Sequence, residues 1–277
     1  MRVNNAIMKT YKMFDEVTNS KRIIIDGKYG WDLLACQKIS AKGKIDLLKY
    51  AYENGCRWEE PTCANASKNG HLECLKYAHE NGCPWDEYTC KYASKFGHLE
   101  CLEYAYENGC PWDECTCIYE SAKHGHLECL KYLHENECEL DEQTCSYAAE
   151  GGYLECLRYL HENGCPWSND TLWFAAYGGY LECMKYAHEN GCEWYCSSIL
   201  YNVCDEASSE GHLECLKYAH ENGCYWDEDT SIHASRNDQL DCLKYAHENG
   251  CPIDINECLK CAGEYCKKYL DSLAKKE

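Results

Sequence analysis

Hydrophobic and polar positions follow the same order many times along this chain. Residues 70–85 read GHLECLKYAHENGCPW, and near-copies of this stretch recur over most of the sequence. Within it, Leu72, Leu75 and Ala78 are spaced for one face of a helix, and charged residues fill positions between them. This pattern predicts an amphipathic helix over residues 71–81.

A glycine precedes each copy of the His-Leu-Glu-Cys sequence or its variants, at almost constant spacing. The intervals are 27, 27, 28, 27, 27, 32 and 27 residues. The positions are Gly43, Gly70, Gly97, Gly125, Gly152, Gly179, Gly211 and Asp238. A unit of this size cannot bury a core alone, so the period indicates about eight units that are stable only when stacked.

Each unit is predicted to hold two short helices. In the second unit we expect the Thr62 hydroxyl to cap a first helix that covers residues 63–69 and ends at Gly70. The second helix, residues 71–81, would end at Gly82, which readily adopts the left-handed conformation. Trp85 in the following turn is expected to bury between neighbouring units.

The ends of the chain depart from the repeat, as the ends of a stack must. We therefore predict an N-terminal capping segment over residues 1–34, about eight repeats over residues 35–255 and a C-terminal capping helix over residues 256–277. Together they are expected to form one continuous solenoid domain.

Residues 62–82 read Thr-x-x-x-Ala-Ser-x-x-Gly-His-Leu-Glu-x-Leu-Lys-x-x-x-Glu-Asn-Gly. This pattern resembles the ankyrin repeat, and the resemblance covers about residues 31–257. It implies an all-α, ankyrin-like solenoid of stacked helix-turn-helix repeats. The Cys-Pro-Trp sequence that follows Asn-Gly is similar to ankyrin repeats of giant DNA viruses that infect amoebae.

The unit is shorter than the family's usual length of about 33 residues. Only residues 83–88 separate Gly82 from Thr89, where the next unit begins. We therefore expect the hairpin fingers of the family to be shortened to tight turns.

The charge balance argues against nucleic acid as a partner. The chain has 27 basic and 47 acidic side chains, a formal net charge of −20, and an acidic surface repels phosphate backbones. No stretch has the apolar length of a membrane span, and the first ten residues lack the apolar region of a signal peptide. We expect an intracellular monomer, and the viral resemblance suggests the host cytoplasm.

The 26 cysteines follow the phase of the repeat. Cys74 and Cys83 stand where the resemblance implies small buried residues, and free cysteine packs as a small hydrophobe. We therefore predict reduced thiols in the core, as a reducing compartment allows.

Metal binding is the competing interpretation of the cysteines. His71 and Cys74 have the i, i+3 spacing of a ligand pair, but Tyr153 and Tyr180 replace the histidine in two units. Three more thiols cluster near the C-terminus without a fourth ligand; these are Cys258, Cys261 and Cys266. We predict no bound metal and no cofactor.

Catalysis is not expected either. Cysteines recur in equivalent positions, whereas an active site is normally singular, and the sequence has no phosphate loop, nucleophile elbow or paired-carboxylate motif. The histidine of the recurring His-Glu-Asn sequence, as at His79, is expected to cap the end of the second helix. We predict that the protein is not an enzyme.

Comparison of the units with one another reveals a candidate binding surface. The second helix barely varies, whereas the first helix varies at the sixth, fifth, second and first positions before the anchor glycine. The ankyrin resemblance implies that first helices line a concave groove in which partners dock. The predicted partner, a host or viral protein, would contact Lys91, Tyr92, Lys95, Phe96, Tyr119, Lys123, Tyr147, Trp173, Phe174 and Tyr177.

Three details of this surface are also predicted. The lysines should make the strip less acidic than the rest of the chain. Trp173 and Phe174 are adjacent, so one of them is expected to pack inward. Residues 193–204 carry five extra residues, which form a loop or lengthen the next first helix.

Two other functions remain open from the sequence. The thiols could serve a metal-buffering or redox-buffering protein, or the chain could be a structural component of a virion. The binding scaffold is preferred because the cysteines are locked to buried positions of the repeat.

Overall fold

The computed structural model describes residues 23–25, 28–30, 34–168, 170–194 and 202–274. An antiparallel pair of short strands comes first, β1 (Ile23–Ile25) and β2 (Lys28–Gly30). The remaining described residues form pairs of helices. They belong to two compact units, residues 1–139 and residues 140–277, which are described separately.

The described residues of unit 1 form four helix pairs. Its first helices are α1 (Ala35–Ser40), α3 (Pro61–Lys68), α5 (Glu87–Phe96) and α7 (Glu114–Lys123). Its second helices are α2 (Ile45–Glu53), α4 (Leu72–Glu80), α6 (Leu99–Glu107) and α8 (Leu127–Glu135).

In unit 2 the part of the chain that the structure describes forms five helix pairs. Its first helices are α9 (Glu142–Gly151), α11 (Thr171–Gly178), α13 (Val203–Glu210), α15 (Glu228–Arg236) and α17 (Ile255–Cys261). Its second helices are α10 (Leu154–Glu162), α12 (Leu181–Glu189), α14 (Leu213–Glu221), α16 (Leu240–Glu248) and α18 (Glu264–Leu273). The C-terminal segment thus contains two helices where the sequence suggested one.

Within each unit, first helices pack on first helices, second helices pack on second helices, and each pair packs internally. The second helix buries the face that its apolar spacing predicts; in α4, Cys74, Leu75 and Ala78 are at most 1 % exposed. The all-α stacked repeat is confirmed. Residues 81–86 join α4 to α5 without a strand, which confirms the shortened fingers.

The helix ends agree with the sequence except at the first cap. Helix α3 begins at Pro61 and has no side-chain cap. Proline has no backbone N–H, so at the first helical position it leaves no donor to be capped. The Thr62 hydroxyl is buried and has no hydrogen-bond partner among the described residues, so its predicted capping role is wrong. Gly82 ends α4 with a φ of +79°, as expected.

The recurring Gly-His pair joins consecutive repeats. The His71 ring lies against Gly43 and the His98 ring against Gly70. The same histidine bonds backbone elsewhere, since His126 Nε2 lies 2.9 Å from the Lys95 carbonyl oxygen. Each ring therefore covers the glycine of the preceding repeat, which gives the Gly-His sequence a packing role instead of a metal-binding one.

The histidine of His-Glu-Asn also contacts the next repeat. His79 stacks on Trp85 with ring centroids 3.7 Å apart, and its Nδ1 lies 2.8 Å from the Tyr104 hydroxyl. In unit 2, His220 repeats both contacts with Trp226 and Tyr245. The expected bond to a helix-end carbonyl is replaced by a bond to a tyrosine, and the tryptophan packs between repeats as predicted.

The described cysteines are free thiols, and they are buried except Cys115, which is exposed, and Cys261, which is half-buried. A cysteine of the first helix can lie next to the cysteine in the turn after the second helix. The sulfurs of Cys36 and Cys56, for example, lie 2.6 Å apart. Burial raises the pKa of the Cys101 thiol to about 12, so this thiol stays protonated at neutral pH. The thiols act as small core residues.

Candidate interaction surface

Most side chains at the variable positions of the first helices are half-buried or exposed, but some are buried, including Asp205 and Glu206. In α5, Cys90, Ala93 and Ser94 are buried, whereas the four predicted contact residues of this helix are half-buried or exposed. We call the side chains at these variable positions the first-helix surface.

In unit 1 the first-helix surface carries a row of aromatic rings. The Tyr92 ring lies 6.3 Å from the Phe96 ring and 5.7 Å from that of Tyr88. Phe96 is 40 % exposed. Lys68 from α3 places its Nζ within 5.6 Å of the Tyr92 and Phe96 centroids. Tyr88 was not predicted, because it lies in the segment assigned to the turn.

Two lysines of this row share one acidic neighbour. The Glu120 carboxylate on α7 accepts a hydrogen bond from Lys95 Nζ at 3.0 Å and lies 3.7 Å from Lys91 Nζ. His124 approaches the same carboxylate at 3.4 Å. One carboxylate therefore pairs with both lysines, Lys91 and Lys95.

Tyr119 and Lys123 on α7 are half-buried, next to the α5 residues of the same unit. Tyr147 on α9 is also half-buried, and its helix packs on α11 in unit 2. The structure thus brings the predicted residues together as two groups, one within each unit.

In unit 2, helix α11 carries three aromatic side chains. Trp173 and Tyr177 are nearly parallel, with centroids 5.8 Å apart, and Phe174 meets Trp173 edge-on at 5.2 Å. Tyr177 is 47 % exposed. Trp173 and Phe174 are both half-buried, so the expectation that one packs inward is wrong. Leu172 and its neighbours already fill the core.

Helix α13 places a buried acidic pair beside α11. Asp205 and Glu206 are 3 % and 8 % exposed. Burial, followed by the nearby Glu210 and Asp205 carboxylates, raises the pKa of Glu206 to about 7. The Trp173 indole N–H makes no regular hydrogen bond among the described residues, yet it lies near enough to lower the pKa of Glu206.

The variable positions included Glu206 and Glu120, but their roles were not predicted. Helix periodicity places them among the variable positions, whereas neighbours such as Lys95 for Glu120 and Trp173 for Glu206 lie on the preceding first helix, 25 or more residues away. The five extra residues precede α13, which begins at Val203 after the Asn202 cap and is not lengthened. Residues 195–201 lie outside the described part of the chain.

Neither metal binding nor membrane insertion has support in the described residues. No three of their His, Cys, Asp or Glu side chains are grouped to hold a metal ion. The Cys266 thiol donates a hydrogen bond to the Ala234 carbonyl at 3.7 Å, and the Cys261 thiol donates one to the Cys258 carbonyl at 3.5 Å. None of the described helices combines the length and apolar composition that crossing a bilayer requires. The buffering alternative is not supported.

Comparisons with known proteins agree with this architecture. A family model described as ankyrin repeats (3 copies) matches residues 63–144, 90–170 and 122–198. The crystal structure of the human ASB11 ankyrin repeat domain superposes with a TM-score of 0.54 at 20 % identity, over 62 % of this chain and 90 % of that one. No curated protein matches the chain. The similarity to ASB11 concerns the fold alone.

Proposed function

Because this chain carries ankyrin repeats, which generally mediate protein–protein interaction, we propose that it is a non-enzymatic scaffold. It binds a host or viral protein through the first-helix surface, the face that the family resemblance places in a concave groove. It acts as a monomer in the host cytoplasm. The contact residues are Lys91, Tyr92, Lys95, Phe96, Tyr119, Lys123, Tyr147, Trp173, Phe174 and Tyr177.

One observation carries the proposal: large aromatic side chains remain exposed at the positions that vary between repeats. Phe96 and Tyr177 are 40 % and 47 % exposed, although the same helices bury small residues against their neighbours. Aromatic residues are enriched in binding hot spots, and clusters of them on a surface mark interaction sites. The uniform second helices, by contrast, serve the stacking between repeats.

The proposal is tested by capturing partners from host-cell lysate with the tagged chain. Two double variants separate the groups: Tyr92→Ala with Phe96→Ala in unit 1, and Trp173→Ala with Tyr177→Ala in unit 2. Loss of a specific partner from either folded variant is expected. Circular dichroism must first show that helix content and unfolding midpoint are retained.

A matched control removes exposed aromatic rings outside the first-helix surface. Tyr225 in a turn and Tyr265 on α18 are 70 % and 63 % exposed, and their double alanine variant should retain the partner. A partner lost only from this control, and held by both test variants, would refute binding through the first helices.

A further inference from the structure

We propose that Trp173, Tyr177 and Glu206 form a site in unit 2 for a cationic side chain, arginine or lysine, of the bound protein. This inference rests on the proposed scaffold function and adds the chemistry of the partner. The site combines aromatic rings from α11 with a carboxylate from α13, and these two helices pack directly on each other.

Two carboxylates at the same position of the repeat differ in their basic neighbours. Glu120 and Glu206 both stand five residues before the anchor glycine. Glu120 has Lys91, Lys95 and His124 within 4.0 Å. Around Glu206, no basic group of the described residues offsets the charge; its neighbours are further carboxylates and an indole.

The adjacent acidic residue is already satisfied within the fold. Asp205 accepts the Thr230 hydroxyl at 2.5 Å and the Asn202 amide at 3.2 Å. The buried His233 occupies the equivalent position of α15, and desolvation lowers its pKa, so it is neutral at pH 7. Of the two buried carboxylates on α13, Glu206 is therefore the one with neither a counterion nor a regular hydrogen bond among the described residues.

A cation from a partner interacts favourably with both the buried carboxylate and the aromatic rings of the site. A carboxylate removed from water gains most from an opposite charge in direct contact. The neighbouring Trp173 and Tyr177 rings offer faces over which an ammonium or guanidinium group is attracted. The net charge of −20 further favours a basic segment approaching this surface.

The test uses a display library of random twelve-residue peptides, panned on the immobilised full chain. Enriched peptides are expected to share arginine or lysine at a fixed position. Fluorescence anisotropy should show at least tenfold weaker binding to Glu206→Gln and to Trp173→Ala. Replacing the shared peptide residue by citrulline or norleucine should weaken binding to the wild-type protein by the same factor. Binding of the replaced peptide to Glu206→Gln should be little weaker than its binding to wild type. Citrulline is the neutral replacement for a shared arginine, and norleucine is the neutral replacement for a shared lysine.

Glu221→Gln is the matched control, because it makes the same substitution at an exposed carboxylate at the end of α14. Its peptide affinity should stay within twofold of wild type. Enriched peptides without a fixed basic residue, or equal binding to folded Glu206→Gln, would overturn the cation site and leave the scaffold function intact. An absence of enriched peptides would also overturn it, while the lysate capture decides the scaffold function independently.

Discussion

The imidazole of His98 lies over Gly70 of the preceding repeat so closely that a Cβ on Gly70 would stand 2.6 Å from the ring Nδ1. Gly70 also has a φ of +70°. The residue at position 70 must therefore meet two independent requirements, a left-handed backbone conformation and the absence of a side chain where the His98 ring lies.

Gly70→Ala should destabilise the protein by about 2–4 kcal/mol, since the left-handed conformation and the displaced ring both cost free energy. The measurement is urea unfolding followed by circular dichroism. Gly82→Ala is the control, because its φ is +79° but no atom lies within 4 Å of the added carbon. It should cost only about 1 kcal/mol. Equal losses for both variants would contradict the ring contact.

Tyr104→Phe should lower the free energy of unfolding by about 0.5–1.5 kcal/mol, because it removes the hydroxyl that lies 2.8 Å from His79 Nδ1. Tyr77 is the equivalent residue one repeat earlier, and it meets the Tyr52 ring edge-on in place of a histidine. Tyr77→Phe should therefore be nearly neutral. The same unfolding experiment measures both, and a reversed order would argue against the histidine bond.

Glu206→Gln should stabilise the protein more at pH 8 than at pH 5. The folded-state pKa of Glu206 is raised to about 7, so its favourable contribution is complete below the unfolded pKa near 4.5 and is lost as pH rises through 7. The stabilisation should grow by about 1–3 kcal/mol between the two pH values.

Urea titrations at pH 5 and pH 8 measure this difference. Asp205, Glu210 and His233 also titrate near Glu206 but are common to both proteins. Glu221→Gln, which makes the same substitution at an exposed carboxylate of α14, is the control. A stabilisation by Glu206→Gln that does not vary with pH would show that this carboxyl is not desolvated.

Cys115 should react with a maleimide in the native protein at least about 100-fold faster than Cys117, because burial withholds a thiol from reagent and disfavours its thiolate. The two lie two residues apart; Cys115 is exposed, and burial raises the pKa of Cys117 to about 12. Peptide mapping by mass spectrometry measures both rates. In 8 M urea the rates should converge, and similar native rates would contradict the buried position of Cys117.

The sequence predicted the architecture well because the repeat supplies many copies of the same local signals. Apolar spacing located α4 to within one residue at each end, and Gly82 marked its termination. Thr62 was assigned a capping role wrongly, since Pro61 already begins the helix and carries the threonine into the core.

The interaction surface could be predicted only as a set of positions. Variation between repeats identified Trp173 and Phe174, but their exposure depends on how α11 lies against α9 and α13. The difference between Glu120 and Glu206 could not be read from either residue, since it arises from lysines on the preceding helix in one unit and aromatic rings in the other.

The contact between His212 and Gly179 spans the longest repeat, yet it matches the contacts of the 27-residue repeats. A ring of the next repeat lies against Gly43, Gly70, Gly97, Gly152 and Gly179, whereas the Gln239 amide lies against Gly211. Duplication or deletion of one whole unit therefore creates no new kind of junction. The array can lengthen or shorten in evolution by complete repeats, and its binding surface can gain or lose one first helix at each step.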